Sequence, residues 1–162
     1  MSIELVIGIL QIILIATTPL VFAGIGELVT EKSGVLNLGV EGMMLVGAVT
    51  AFVTLVVTGS YFLAFLISIL SGIIMSGLFA ILVLLLMSNQ IATGLALTIF
   101  GIGLSSMLGK EYIGTPIDGL SPWFFVIFSF VIVFIISYFF YKTKAGLILR
   151  AVGESLITQL MH

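Results

Sequence analysis

Residues 26–44, GELVTEKSGVLNLGVEGMM, concentrate charged and amide side chains in a chain that is otherwise apolar. Only 7% of the residues are charged, yet this stretch holds Glu27, Glu31, Lys32 and Glu41. Asn37 and Glu41 are four residues apart, so on a helix they would share one face. An ionisable group inside a membrane-spanning segment is costly and usually faces a bundle interior or a solute pathway. The spacing therefore predicts a polar site suited to transport.

Two other kinds of site receive no support from this sequence. Gly26 is followed, after four residues, by Glu31-Lys32-Ser33, which resembles a phosphate-binding loop except that a carboxylate replaces the second glycine. The chain has no cysteine, its one histidine is His162, and its carboxylates are scattered, so no metal-ligand spacing is present. The sequence predicts no catalytic residue, no metal site and no cofactor.

Long apolar runs must position these residues. Hydrophobic residues make up 61% of the chain, and a membrane-spanning helix needs about 20 of them in succession. We predict an all-α fold, a polytopic transmembrane helix bundle of about five spans, at 3–23, within 34–57, within 61–87, near 91–108 and at 122–141. Glycines at positions 24, 26, 34, 39 and 42 argue against one long straight helix and predict a glycine-broken segment between the first two spans.

Small and polar residues form stripes on two of the predicted spans. In the third span, every fourth residue is small: Ser68, Gly72, Ser76 and Ala80. The fourth span carries a more polar stripe: Gln90, Gly94, Thr98, Gly101 and Ser105. Such stripes let helices approach closely, so both can reflect helix packing alone, and the second can equally line a pathway.

The distribution of basic residues predicts the orientation. Lys142, Lys144 and Arg150 follow the fifth span, whereas the preceding loop has Lys110 beside Glu111 and Asp118. Because cytoplasmic loops carry an excess of lysine and arginine, we expect a cytoplasmic C-terminus.

Three motifs in order, GELVTEKSGVLNLGVEGMMLVGA, NQIATGLALTIFGIGLSS and TKAGLILRAVGES, resemble permease subunits of bacterial ABC importers for nucleosides and simple sugars. These belong to the larger group of ribose and branched-chain amino-acid permeases. The resemblance implies a passive pathway in the bacterial inner membrane and not an enzyme. It implies as partners a second permease subunit, cytoplasmic ABC ATPase subunits, an extracytoplasmic solute-binding protein and the lipid bilayer, with no nucleic acid.

The same resemblance assigns residues to two roles. Near the translocation core it places Asn37, Glu41, Gly42, Asn89, Gln90, Thr93 and Gly94. In a segment that couples to the ATPase it places Gly146, Arg150, Gly153 and Glu154. Three alternatives stay open: Glu41 as a buried acceptor that clamps the broken backbone, Glu27 to Lys32 as a solvated loop, and Lys142 with Lys144 as a topological anchor.

The resemblance also predicts a division of the chain: a permease domain at 1–141, a coupling segment at 142–155, and a tail at 156–162 that departs from the family pattern. A frameshift, a truncated gene or an incomplete sequence would each produce such an ending, so we expect a fragment of a permease. Two other functions remain possible at this point, a secondary transporter and a membrane interaction protein that transports nothing.

Overall fold

A computed structural model describes the backbone of residues 3–160 and the side chains of residues 3–153. It contains six α-helices: α1 Ile3–Lys32, α2 Val40–Thr58, α3 Tyr61–Ala80, α4 Gln90–Gly109, α5 Pro122–Lys142 and α6 Lys144–Leu160. A π-helical turn, Ile81–Leu85, extends α3, and a 3₁₀ turn, Lys110–Tyr112, follows α4. Helices α1 to α5 are long and apolar enough to cross a membrane. No strand occurs within residues 3–160, and the predicted all-α fold with five spans is confirmed.

Helix α1 is longer than the sequence predicted. It continues through Gly24 and Gly26 to Lys32, so those glycines do not break it, and Glu27 and Glu31 lie on its last two turns and not in a loop. A glycine destabilises a helix by about 1 kcal/mol, whereas each backbone group left unpaired in lipid costs several kcal/mol. In a bilayer the helix is therefore favoured in spite of the two glycines. The predicted break is confined to residues 33–39, where Gly34 adopts a φ of +86°.

Capping residues set the other helix ends. Gly59, with a φ of +66°, ends α2 and donates its N–H to the Leu55 carbonyl. Ser60 and Asn89 accept the N–H groups of Leu63 and Ala92 at the starts of α3 and α4. These side chains satisfy backbone donors that a helix N-terminus leaves unpaired.

The chain forms two compact units, and residues 36–118 make up the second of them. In this unit α2 packs against both α3 and α4. The Ser68 hydroxyl donates to the Gly47 carbonyl (3.0 Å), and the Thr50 and Ser71 hydroxyls are 2.9 Å apart. Such bonds join helices where water cannot compete for the polar groups.

Within the described residues, the predicted small-residue stripe on α3 meets α2 at Ser68 but not along its whole length. A Cβ added at Gly72 would meet no heavy atom within 4 Å, and Ser76 is exposed. The residues of α3 that are buried or bonded to α2 include Ser68 of the stripe, together with Ala64, Ser71, Met75 and Phe79, which lie outside it.

The first unit, residues up to 35 and from 119 onward, contains α1, α5 and α6. The Phe22 and Phe128 rings of α1 and α5 lie 6.1 Å apart. Thr17 and Thr18 directly precede Pro19, and their hydroxyls donate to the Ile13 and Leu14 carbonyls one turn back. Helix α6 turns back against the ends of the two longer helices at Gly146 and Gly153.

Candidate functional site

The broken segment ahead of α2 is bound to α4 by two hydrogen bonds. The Leu36 N–H donates to Oε1 of Gln90 at 2.8 Å. The Thr98 hydroxyl donates to the Leu38 carbonyl at 2.9 Å. Both bonds use side chains of α4 to pair backbone groups that have no helical partner, which is what irregular backbone at membrane depth requires. Gln90 thus holds the segment in place.

Three glycines let the backbones of the segment, α2 and α4 touch. A Cβ at Gly101 would lie 2.5 Å from the Gly42 Cα, and one at Gly42 would lie 2.6 Å from the Leu97 carbonyl oxygen. A Cβ at Gly94 would lie 2.8 Å from the Leu38 nitrogen. Real Cβ atoms do not approach backbone this closely, so only glycine fits at these positions. Gly42 and Gly94 are therefore packing residues.

Asn37 is buried within the segment, with 6% of its surface exposed. Its Oδ1 accepts the Gly39 N–H at 2.9 Å, and its Nδ2 lies 3.7 Å from the Met43 sulfur. The prediction that Asn37 and Glu41 share a helical face is wrong, because α2 begins at Val40 and Asn37 lies in the turn before it. An Asn side chain that bonds the backbone two residues on is the usual device for such a turn.

Glu41 stands in the first turn of α2 and is exposed. Its carboxylate has no hydrogen-bond or ion-pair partner among residues 3–153. A carboxylate is favourable there because the N-terminal end of a helix carries partial positive charge. Within this chain, however, the clamping of the broken backbone falls to Gln90, Thr98 and Asn37, and Glu41 takes no part in it.

Asn89 and Thr93 have local roles at the start of α4. The Asn89 side chain caps the helix by accepting the Ala92 N–H at 3.0 Å. The Thr93 hydroxyl lies 2.8 Å from that of Ser88, which also donates to the Leu82 carbonyl. Ser88 and Thr93 border a groove of about 430 Å³ whose other lining residues are apolar: Leu78, Leu82, Ala92, Ala96, Leu97 and Phe100. Because the two hydroxyls bond each other, the groove offers little to a polar solute.

The structure thus brings Asn37, Gly42, Gln90 and Gly94 together in one contact, the broken segment against α4. Sequence reasoning left Thr98 and Gly101 out of the candidate core, although both belong to the stripe predicted on the fourth span. The stripe itself indicated this contact, because it faces the backbone of the broken segment and of α2.

The candidate coupling residues lie on α6, in the other unit. A Cβ at Gly146 would clash with the Phe139 carbonyl, and one at Gly153 would clash with the Lys32 carbonyl. The Arg150 guanidinium lies 5.0 Å from the centre of the Tyr141 ring. The side chain of Glu154, the fourth candidate, lies outside the described residues.

The chain matches the protein family described as the permease component of branched-chain amino acid transport systems, over residues 9–158. TsgC13 of Haloferax volcanii, provisionally named a glucose ABC transporter permease, is 36% identical over 91% of this chain and 52% of its own length. NupC of Lactococcus lactis, named a nucleoside ABC transporter permease, is 30% identical over 93% of this chain and 58% of its own. NupQ of Bacillus subtilis, named a guanosine ABC transporter permease, is 26% identical over 92% and 58%. The chain spans about half the length of these relatives, and no solved structure matches it significantly.

Proposed function

Because the chain belongs to the family of branched-chain amino acid transport system permease components, we propose that it supplies membrane-spanning helices and part of the solute pathway to an ATP-driven importer. The proposed solute is a nucleoside or a simple sugar, in keeping with the names of the relatives. This chain would bind and pass the solute without changing it chemically, and ATP hydrolysis would take place on partner subunits.

The observation that carries the proposal is the way the broken segment is built. Its backbone is paired by Gln90 and Thr98 and packed through Gly42, Gly94 and Gly101, so it is a fixed element beside α4. Transporters place irregular backbone where helices are interrupted at a solute site. The exposed carboxylate of Glu41 follows this segment directly and is free to meet a polar solute or a partner chain.

Each proposed partner supplies a separate step of transport. Helix α6 would couple to a cytoplasmic ATPase, an extracytoplasmic binding protein would deliver solute, and a second permease chain would complete the pathway. In this arrangement the end of the chain that carries α6 is cytoplasmic, and the chain is an integral protein of the cytoplasmic membrane.

Substitution of Glu41 tests the pathway role in the assembled importer. With uptake of radiolabelled nucleoside or sugar as the measurement, we expect Glu41→Leu to reduce uptake about tenfold or more, with a normal amount of protein in the membrane. Glu41→Gln keeps the shape and part of the hydrogen bonding and should reduce it less. Glu111, an exposed carboxylate of the 3₁₀ turn, provides the control, since Glu111→Leu and Glu111→Gln should leave uptake unchanged.

Loss of the Glu41→Leu protein itself, and not of its activity, would instead support a structural role for this carboxylate. Uptake that requires an ion gradient and continues after ATP depletion would favour a secondary transporter and contradict the proposed mechanism.

A further inference from the structure

The last turn of α3 departs from regular helix geometry. Across Ile81–Leu85 the chain forms a π-helical turn, in which the Leu86 N–H donates to the carbonyl of Ile81, five residues back, at 3.1 Å. In an α-helix the same N–H would donate to the carbonyl of Leu82, four residues back. A single π turn beside an α-helix is uncommon and is frequent at functional sites. The pairing of Leu86 therefore has a regular alternative one residue away.

The Leu82 carbonyl is occupied by a different donor. It accepts the N–H of Ser88 at 3.1 Å and the hydroxyl of the same residue at 2.7 Å. Since the Ser88 hydroxyl donates to this carbonyl, it accepts from the Thr93 hydroxyl, which lies 2.8 Å away on α4. One carbonyl thus separates two arrangements of the turn. Paired with Ser88 it leaves Leu86 to Ile81, and paired with Leu86 it releases Ser88.

The backbone of Met87 opposes the observed arrangement. Its φ is +50°, the only positive value at a non-glycine residue within residues 3–160. An L-residue in the left-handed region is strained, because its Cβ lies too close to the following carbonyl oxygen. Packing contributes little against this strain, since 87% of the Met87 surface is exposed. The hydrogen bonds of Ser88 and the strain at Met87 therefore act in opposite directions on the same turn.

We propose that the last turn of α3 is a two-state switch between this π form and an α form. In the α form Leu86 pairs with Leu82, Met87 leaves the left-handed region, and one residue passes from the helix to the connection before α4. Ser88 then loses its acceptor, and its hydroxyl separates from that of Thr93. Both residues border the groove of about 430 Å³ between α3 and α4, so the switch determines whether this groove presents free hydroxyls. The exchange of hydrogen bonds concerns this chain alone and does not depend on the transport function.

Amide hydrogen exchange, measured by NMR on the chain in lipid nanodiscs, distinguishes the two forms. The Leu86 N–H has an acceptor in both, whereas the N–H of residue 88 has one only in the π form, so its exchange reports the population of the α form. Ser88→Ala keeps the N–H and removes the hydroxyl bond. We expect protection at residue 88 to fall about fivefold while protection at Leu86 stays unchanged. Ser76→Ala is the matched control, because the Ser76 hydroxyl donates to the Ile73 carbonyl of its own helix, and it should change neither amide.

Substitutions of Met87 should move the balance in both directions. Met87→Gly removes the strain of the left-handed backbone, so we expect protection at residue 88 to rise about threefold or more. Met87→Val places a β-branched side chain where left-handed backbone is least tolerated, so protection there should fall about threefold or more, with Leu86 unchanged. Equal losses at Leu86 and residue 88 would show fraying of the helix end and would overturn the proposal. It is also overturned if Met87→Gly and Met87→Val shift the exchange of residue 88 in the same direction or leave it unchanged.

Discussion

Amide side chains and a carboxylate take different parts at the start of α2. The side-chain oxygens of Gln90 and Asn37 accept hydrogen bonds from backbone N–H groups of the broken segment, at 2.8 and 2.9 Å. Glu41, only four residues from Asn37, accepts no bond within the described residues. Neutral amides are suited to fixed positions in an apolar environment, because they pair a backbone group without burying charge. The carboxylate is thereby left available for contacts outside the chain.

Replacing Gln90 should weaken the attachment of the segment. Gln90→Leu leaves the Leu36 N–H without its acceptor, and because this hydrogen bond is exposed we expect the free energy of unfolding to fall by about 0.5–1.5 kcal/mol. Gln90→Glu keeps an acceptor oxygen and should cost less. The control is Gln11→Leu, since Gln11 is exposed on α1 and its side chain bonds none of the described residues. Denaturant titration in mixed micelles measures the change, and equal stability of the two leucine variants would refute the role given to Gln90.

The sequence identified these residues but not what each one does. Hydrogen bonds between Leu36 and Gln90, and between Leu38 and Thr98, join positions 54 and 60 residues apart. Local spacing carries no information about such pairs. The prediction that Asn37 and Glu41 share a helical face was also wrong, because α2 begins three residues after Asn37, at Val40.

At the scale of elements, the predicted α4 stripe follows one contact, whereas the predicted α3 stripe meets α2 only at Ser68, for a geometric reason. A helix turns about 100° per residue, so a step of four residues advances each side chain about 40° beyond a full turn. Steps of four alone, as in Ser68 to Ala80, therefore drift by about 120° around α3. The α4 stripe includes a step of three between Thr98 and Gly101, which keeps all its members within about 80°. That stripe meets the broken segment and α2.

The contact of α2 with α4 depends on Gly101, and Gly101→Ala tests it. The new methyl group would lie 2.5 Å from the Cα of Gly42, so the helices must separate, and we expect a loss of about 1–3 kcal/mol in stability. Gly103, two residues further along α4, has no heavy atom within 4 Å of an added Cβ. Gly103→Ala should therefore be neutral or should stabilise the helix by up to about 1 kcal/mol. Thermal unfolding of both variants in the same detergent gives the comparison, and similar losses at both positions would argue against the contact.

For the whole molecule, composition alone determined the fold class, because runs of about 20 apolar residues have few alternatives to a membrane helix. Four of the five spans were placed within a few residues of their observed ends. The exception is α1, whose last nine residues, 24–32, include two glycines and three charges that mark a helix end in water. Tertiary contact acts together with the cost of unpaired backbone in lipid, because this end of α1 packs against Gly153 of α6.

The orientation of the molecule is the last prediction, and the structure sharpens it. The Tyr61 hydroxyl donates to the Asp118 carbonyl, so the α2–α3 turn and the α4–α5 loop lie at the same end of their unit. Since Lys142 and Lys144 favour the cytoplasmic side and α5 crosses the membrane once, both connections should be external. Reporter fusions after Gly59 and Gly119 should therefore behave as external, and a fusion after Lys144 as cytoplasmic. Opposite results at Gly59 and Gly119 would contradict the five-span arrangement, whereas the same side at all three sites would show that α5 does not cross.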